Sequence, residues 1–115
     1  MRYRQKGPLL RLGAGLWAWW RERRIVAFYR SERWKRLRLK VLAKYGRRCM
    51  RCHTCGTQHN WICVDHIKSV RRYWWRRRWF SNLQVLCNDC NRWKGGWNET
   101  DFRPAGWLGW MKKST

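Results

Sequence analysis

Two groups of residues have the types and spacing for chemistry: a set of cysteines, and an acid beside an imidazole. Cys49 with Cys52 and Cys87 with Cys90 form two Cys-x-x-Cys pairs separated by 34 residues. Such pairs can supply four thiolates to a tetrahedral zinc. Cys55 leaves the register open, because Cys52 and Cys55 have the same spacing and the upstream pair can be drawn one unit later; His53 is a further possible ligand. Cys63 lies in an apolar run and reads as a buried residue rather than a ligand. Between the two pairs stands Val64-Asp65-His66-Ile67, and the second pair is preceded by Ser81-Asn82-Leu83-Gln84-Val85-Leu86 and followed directly by Asn91. Neither Asp65 nor His66 belongs in a core by type, so their place at the end of an apolar run asks for a functional reason.

The elements that must position these groups are short. Ser31 is a good N-cap, Trp34, Leu37, Val41 and Tyr45 recur at helical spacing, and Gly46 stands at the C-terminal cap, which predicts an amphipathic helix. Its other face carries Arg33, Lys35, Arg36, Lys40 and Lys44. Trp61 to Ile67 reads as a strand and Leu83 to Leu86 as its partner. Asn91 to Lys94 opens a short helix that Gly95 and Gly96 stop. Neighbouring strand residues face opposite sides, so Asp65 and His66 can serve one phosphate only if the strand ends or bulges there.

The whole chain is small and basic. Its 115 residues suit one domain, and 28 Lys and Arg against 6 Asp and Glu give a formal charge of +22. Compaction then works against self-repulsion that a polyanion would relieve, which makes nucleic acid the expected partner. The segment 1–27 reads as a basic, tryptophan-rich arm, 28–104 as the domain and 105–115 as a tail. The apolar stretch from Gly7 to Trp20 is too short for a bilayer span, contains Arg11 and lacks the cleavage pattern of an export signal. The expectation is a protein of the cytoplasm, of a bacterium or a phage-infected cell, without stable membrane insertion. The loop 68–80 alternates arginine with aromatic residues, a composition suited to backbone neutralisation and to stacking on unpaired bases; Arg71, Arg72, Arg76, Arg77, Arg78 and Lys94 are the expected nucleic-acid contacts.

In Asp65-His66-Ile67, in Asn82-Leu83-Gln84-Val85-Leu86-Cys87 and in Cys90-Asn91-x-x-Lys94-Gly95, the chain resembles the HNH endonucleases, in particular the small stand-alone type of phages and prophages. The resemblance runs from Phe28-Tyr29-Arg30-Ser31 and Trp34 to Glu99-Thr100-Asp101. It implies an α+β fold, a small ββα-metal (His-Me finger) domain with a four-cysteine zinc knuckle, preceded by the amphipathic helix. It implies His66 as general base, Asp65 and Asn91 as ligands of a catalytic Mg2+ or Mn2+ in the variant with asparagine in the last ligand position, and Asn82 as the residue that holds the loop so that the His66 ring is aimed. Structural Zn2+ would sit on Cys49, Cys52, Cys87 and Cys90, and the distance from Cys52 to the Asp-His pair is closer to the family than that from Cys55. The implied activity is metal-dependent cleavage or nicking of DNA, and relatives of this type often act beside phage terminase and packaging proteins. Two competing expectations come from other classes: a zinc-stapled nucleic-acid-binding module without catalysis, and a membrane-active basic segment fused to a small domain.

Overall fold

The computed structural model describes residues 14–104. Helix α1 (Ala14–Arg30) runs into α2 (Glu32–Tyr45), and a cysteine-bearing loop then leads to strand β1 (Ile62–His66). A long connection with two short 3-10 turns, Trp74–Arg76 and Phe80–Asn82, returns the chain as β2 (Leu83–Cys87), which passes straight into α3 (Asn88–Lys94).

Local chemistry accounts for these boundaries. The Ser31 side chain accepts from the Trp34 backbone N–H at 3.2 Å, and Gly46, at φ 82°, lets its own N–H close on the Leu42 carbonyl. A side chain at Gly46 would be strained in that conformation. The helix seats Trp34, Val41 and Leu42 in the core, each contributing about 2 kcal/mol of apolar burial. Helix α3 starts three residues before the expected Asn91, because the Cys87 sulfur caps it by accepting from the Cys90 N–H. Gly95, at φ 64°, ends it.

The strands pair antiparallel without a bulge, from Ile62 opposite Cys87 to His66 opposite Leu83. All ten residues are buried, as in a sheet covered on both faces. Helices α1 and α2 cover one face and α3 the other. This is the expected α+β arrangement, a hairpin closed by a helix. Helix α1 crosses the boundary drawn at residue 28 and places both Ile25 and Phe28 in the core beside Trp34. The rest of the expected arm and the tail, residues 1–13 and 105–115, lies outside the described residues.

Candidate active site and cysteine centre

At one end of the hairpin, Cys49, Cys52, Cys87 and Cys90 converge with their sulfur atoms within 4.8 Å of one another. Cys52 and Cys87 Sγ stand 3.7 Å apart, close to the edge of about 3.8 Å that a tetrahedron with Zn–S bonds of about 2.3 Å requires. Backbone N–H groups of Cys52 and Cys90 donate to the sulfurs of Cys49 and Cys87, which favours thiolate over thiol. Burial pushes the Cys49 thiol up, but such backbone donors outweigh it and bring the group down to about 7. Cys90 is pushed up to about 12, chiefly by burial; a bound cation would reverse that preference. The donor set therefore fits zinc. Cys55 is exposed and outside the cluster, so the structure selects Cys52 where the spacing left both open.

At the other end lie Asp65 and His66. The strand keeps its alternation to its last residue, so the two side chains leave on opposite faces. Asp65 faces α3, where its Oδ2 accepts from Gln84 Nε2 at 3.0 Å and pairs with Lys94 Nζ at 3.1 Å. Burial raises the Asp65 carboxyl, and Lys94 and Gln84 pull it back. Asn91, one helical turn before Lys94, donates from Nδ2 toward Cys63 Sγ at 3.7 Å. Cys63 precedes Asp65 by two residues, so Asn91 and Asp65 belong to the same layer between β1 and α3. Asp65 and Asn91 each carry an oxygen of the hard type that divalent cations take, and in this structure Lys94 Nζ holds Asp65 Oδ2, so a cation there would have to displace that ammonium.

His66 enters an aromatic chamber on the other face, only 5% exposed. Trp34 stacks on the ring with centroids 5.0 Å apart, and Phe28 meets its edge at 5.8 Å. Nε2 lies 2.8 Å from the Arg77 carbonyl and Nδ1 lies 3.3 Å from the Tyr29 hydroxyl. A carbonyl only accepts, so Nε2 carries the proton and Nδ1 takes the Tyr29 O–H through its lone pair. Burial lowers His66 to about 4; the Arg77 carbonyl works against this and the Lys94 charge adds to it. The imidazole is thus neutral near pH 7, with its basic nitrogen turned toward Tyr29.

Asn82 binds the start of the connecting loop to its end. Its Oδ1 accepts from the Lys68 N–H at 2.9 Å, while Nδ2 donates to the Lys68 carbonyl at 3.0 Å and to the Arg76 carbonyl at 3.4 Å. The next carbonyl along, that of Arg77, is the one on His66. Gln84 is not signalled by its type, yet it is fully buried and ties the C-terminal segment to Asp65 by donating to the Thr100 carbonyl and accepting from the Phe102 N–H. Only its place in the Asn-Leu-Gln element points to it. Tyr29 is likewise visible as a motif residue without a role.

The expected nucleic-acid contacts divide. Lys94 is corrected: it is 5% exposed, pairs with Asp65 and donates to the His66 and Ile67 carbonyls, so its ammonium faces inward. Arg71 forms an ion pair with Glu22 of α1. Arg77 lies over Trp74 at 4.2 Å, and Arg24 of α1 lies over the same ring at 4.3 Å. Arg72 and Arg76 lie against the aromatic side chains of the loop, and Arg78 is exposed. No described helix is long and apolar enough to cross a membrane.

No family model matches the chain, and no curated protein matches it. Among solved structures, the chain is similar to the HNH endonuclease of the deep-sea thermophilic bacteriophage GVE2, whose crystal structure contains manganese ion. The two share 37% identity at a TM-score of 0.56, over 64% of this chain and 80% of that one.

Proposed function

This chain belongs to the HNH endonuclease family, and we propose that it hydrolyses phosphodiester bonds of DNA with His66 as general base and a divalent cation, Mg2+ or Mn2+, held by Asp65 and Asn91. The observation that carries this reading is the Asn82 clamp. Asn82 closes the loop from Lys68 to Arg76, and the adjoining Arg77 carbonyl holds His66 by Nε2. That hydrogen bond selects the tautomer with a lone pair on Nδ1, the form a base needs to take a proton from water.

Asp65 and Asn91 supply hard oxygen donors from the other face of β1. A cation held by Asp65 and Asn91 would supply charge compensation for the departing 3′ oxygen. A phosphate served by both groups straddles the strand end at His66 and Ile67. On the Tyr29 side of Nδ1, Tyr29, Trp34, Lys35 and Arg38 line a cleft of about 160 Å³, from which a water would reach the nitrogen once the Tyr29 hydroxyl moves aside. Tyr29 yields its hydrogen bond to that water during turnover, and Lys35 and Arg38 place positive charge at the entrance.

The test is conversion of supercoiled plasmid to open-circular and linear forms by zinc-loaded protein in magnesium or manganese. His66→Ala should lower the rate by at least about 100-fold, the usual scale of a lost general base, and Asn91→Ala should lose activity that a higher metal concentration partly restores. Cleavage by His66→Ala at the wild-type rate would remove the assignment.

A further inference from the structure

The loop between the strands carries more exposed aromatic surface than phosphate neutralisation requires. Arg72 lies 5.2 Å from the Trp97 ring and 5.9 Å from Tyr73; Arg76 lies 5.5 Å from Tyr73 and 5.0 Å from Trp79. Trp75 meets the edge of Tyr73 at 5.5 Å. Trp97, from the segment after α3, thus joins the loop residues in one continuous row of alternating rings and guanidinium groups. Its outer members remain open to solvent, with Trp97 81%, Trp75 58% and Trp79 46% exposed. The sequence displays the loop's composition but gives no reason to place Trp97 beside it.

We propose that this row is a binding platform for single-stranded DNA, on which unpaired bases stack against Trp97, Trp79 and Trp75 while Arg72 and Arg76 meet the phosphates between them. Duplex DNA hides its base faces and would be held by the arginines alone, whereas an unpaired strand presents a π-face at every base. A guanidinium already seated beside these rings strengthens the match, because it brings a charge for the phosphate next to the surface for the base. Arg72 also lies 3.8 Å from the Glu99 carboxylate, with which a phosphate would compete, whereas Arg76 lies between the Tyr73 and Trp79 rings with its Nε buried and without a hydrogen-bond partner.

The inference rests on the endonuclease reading for its choice of DNA, and it deepens that reading by naming the substrate form: DNA with an unpaired stretch beside the cleaved bond. The row and the carbonyl that holds His66 belong to the same loop, so a strand stacked on the row is carried by the segment that also positions His66.

The experiment measures binding without cleavage. Full-length, zinc-loaded protein is titrated into fluorescein-labelled dT20, a duplex of the same length, and U20 RNA, with no magnesium or manganese, and anisotropy is followed at fixed salt. Wild type should bind dT20 more tightly than the duplex and than U20. Trp97→Ala and Trp79→Ala should each weaken dT20 binding about tenfold, the size of one stacked base, and change duplex binding by less than about twofold. Trp97→Phe should recover most of the loss. Equal losses on dT20 and duplex, or no loss on either, would overturn the platform, and tighter binding of U20 would overturn the choice of DNA. Thermal melting of each variant separates lost binding from lost fold. A failed platform leaves wild-type plasmid conversion intact, and a failed cleavage assignment leaves the dT20 preference intact, so the two readings fail separately.

Discussion

The two ends of the β1–β2 hairpin are built in opposite ways. At the cysteine end, four clustered sulfurs come from two short local motifs, and a single ion held there would replace much of the packing that a domain of this size lacks. At the Asp65–His66 end nothing is local: His66 is held by Tyr29 and Trp34 from the N-terminal helices and by Arg77 from the loop, while Asp65 is held by Gln84 from β2 and Lys94 from α3. One end converts sequence spacing directly into geometry, and the other depends on the whole chain being folded. Zinc at the first end would supply stability to set against the cost of buried charge and a desolvated imidazole at the second.

The largest break in this comparison should come from the cysteine end. Structural zinc sites contribute on the order of 10 kcal/mol, more than a domain of this size has to lose. Cys87→Ser should therefore abolish cooperative unfolding and leave the isolated chain without a stable fold, whereas exposed Cys55→Ser should change stability by no more than about 0.5 kcal/mol. Urea denaturation with one equivalent of zinc checks both. A folded Cys52→Ser alongside an unfolded Cys55→Ser would move the ligand set one unit downstream.

A smaller break is expected between α3 and β1. Lys94→Met removes the cation from the buried Asp65 carboxylate, which should cost about 3–5 kcal/mol. Adding Asp65→Asn should restore much of it, since no unpaired charge remains. The same urea titrations measure the coupling between the two substitutions. A neutral effect of Lys94→Met would put the ammonium in solvent, where its residue type places it as a nucleic-acid contact.

That misplacement shows where the sequence is legible. Helix α2 can be bounded from Ser31 and Gly46 because both caps act within one turn, and the two strands differ from their expected spans by no more than one residue at either end. The Cys-x-x-Cys pairs announce a metal centre, but only the 3.7 Å approach of Cys52 to Cys87 separates Cys52 from Cys55, since the spacing is identical. Lys94 follows Trp93 on a short polar helix, and nothing local distinguishes a buried ammonium from a solvated one; its partner, Asp65, lies on the far side of the connecting loop and meets it only after the hairpin closes. The same holds for the chamber around His66, whose walls come from positions 28, 29 and 34, with Trp74 packed behind Phe28.

Acid should sharpen the difference between the ends. Burial takes His66 from its ordinary value of 6.5 to about 4. Between those limits the unfolded chain binds a proton that the folded chain refuses, so stability is fully present above pH 6.5 and falls as the pH drops through the window. At about 1.4 kcal/mol per pH unit the loss from this ring is about 3 kcal/mol. Acid also protonates the thiolates at the other end and releases the metal, so a simple pH profile mixes the two. His66→Gln keeps the cysteine end and removes the titrating ring. The difference in unfolding free energy between wild type and His66→Gln, taken from urea titrations with excess zinc at about pH 7.5 and about pH 5.5, where the metal is still held, should therefore narrow by about 1.4 kcal/mol at the lower pH. Parallel acid profiles would mean that His66 titrates as an exposed imidazole does, and the aromatic chamber would then not be closed in solution.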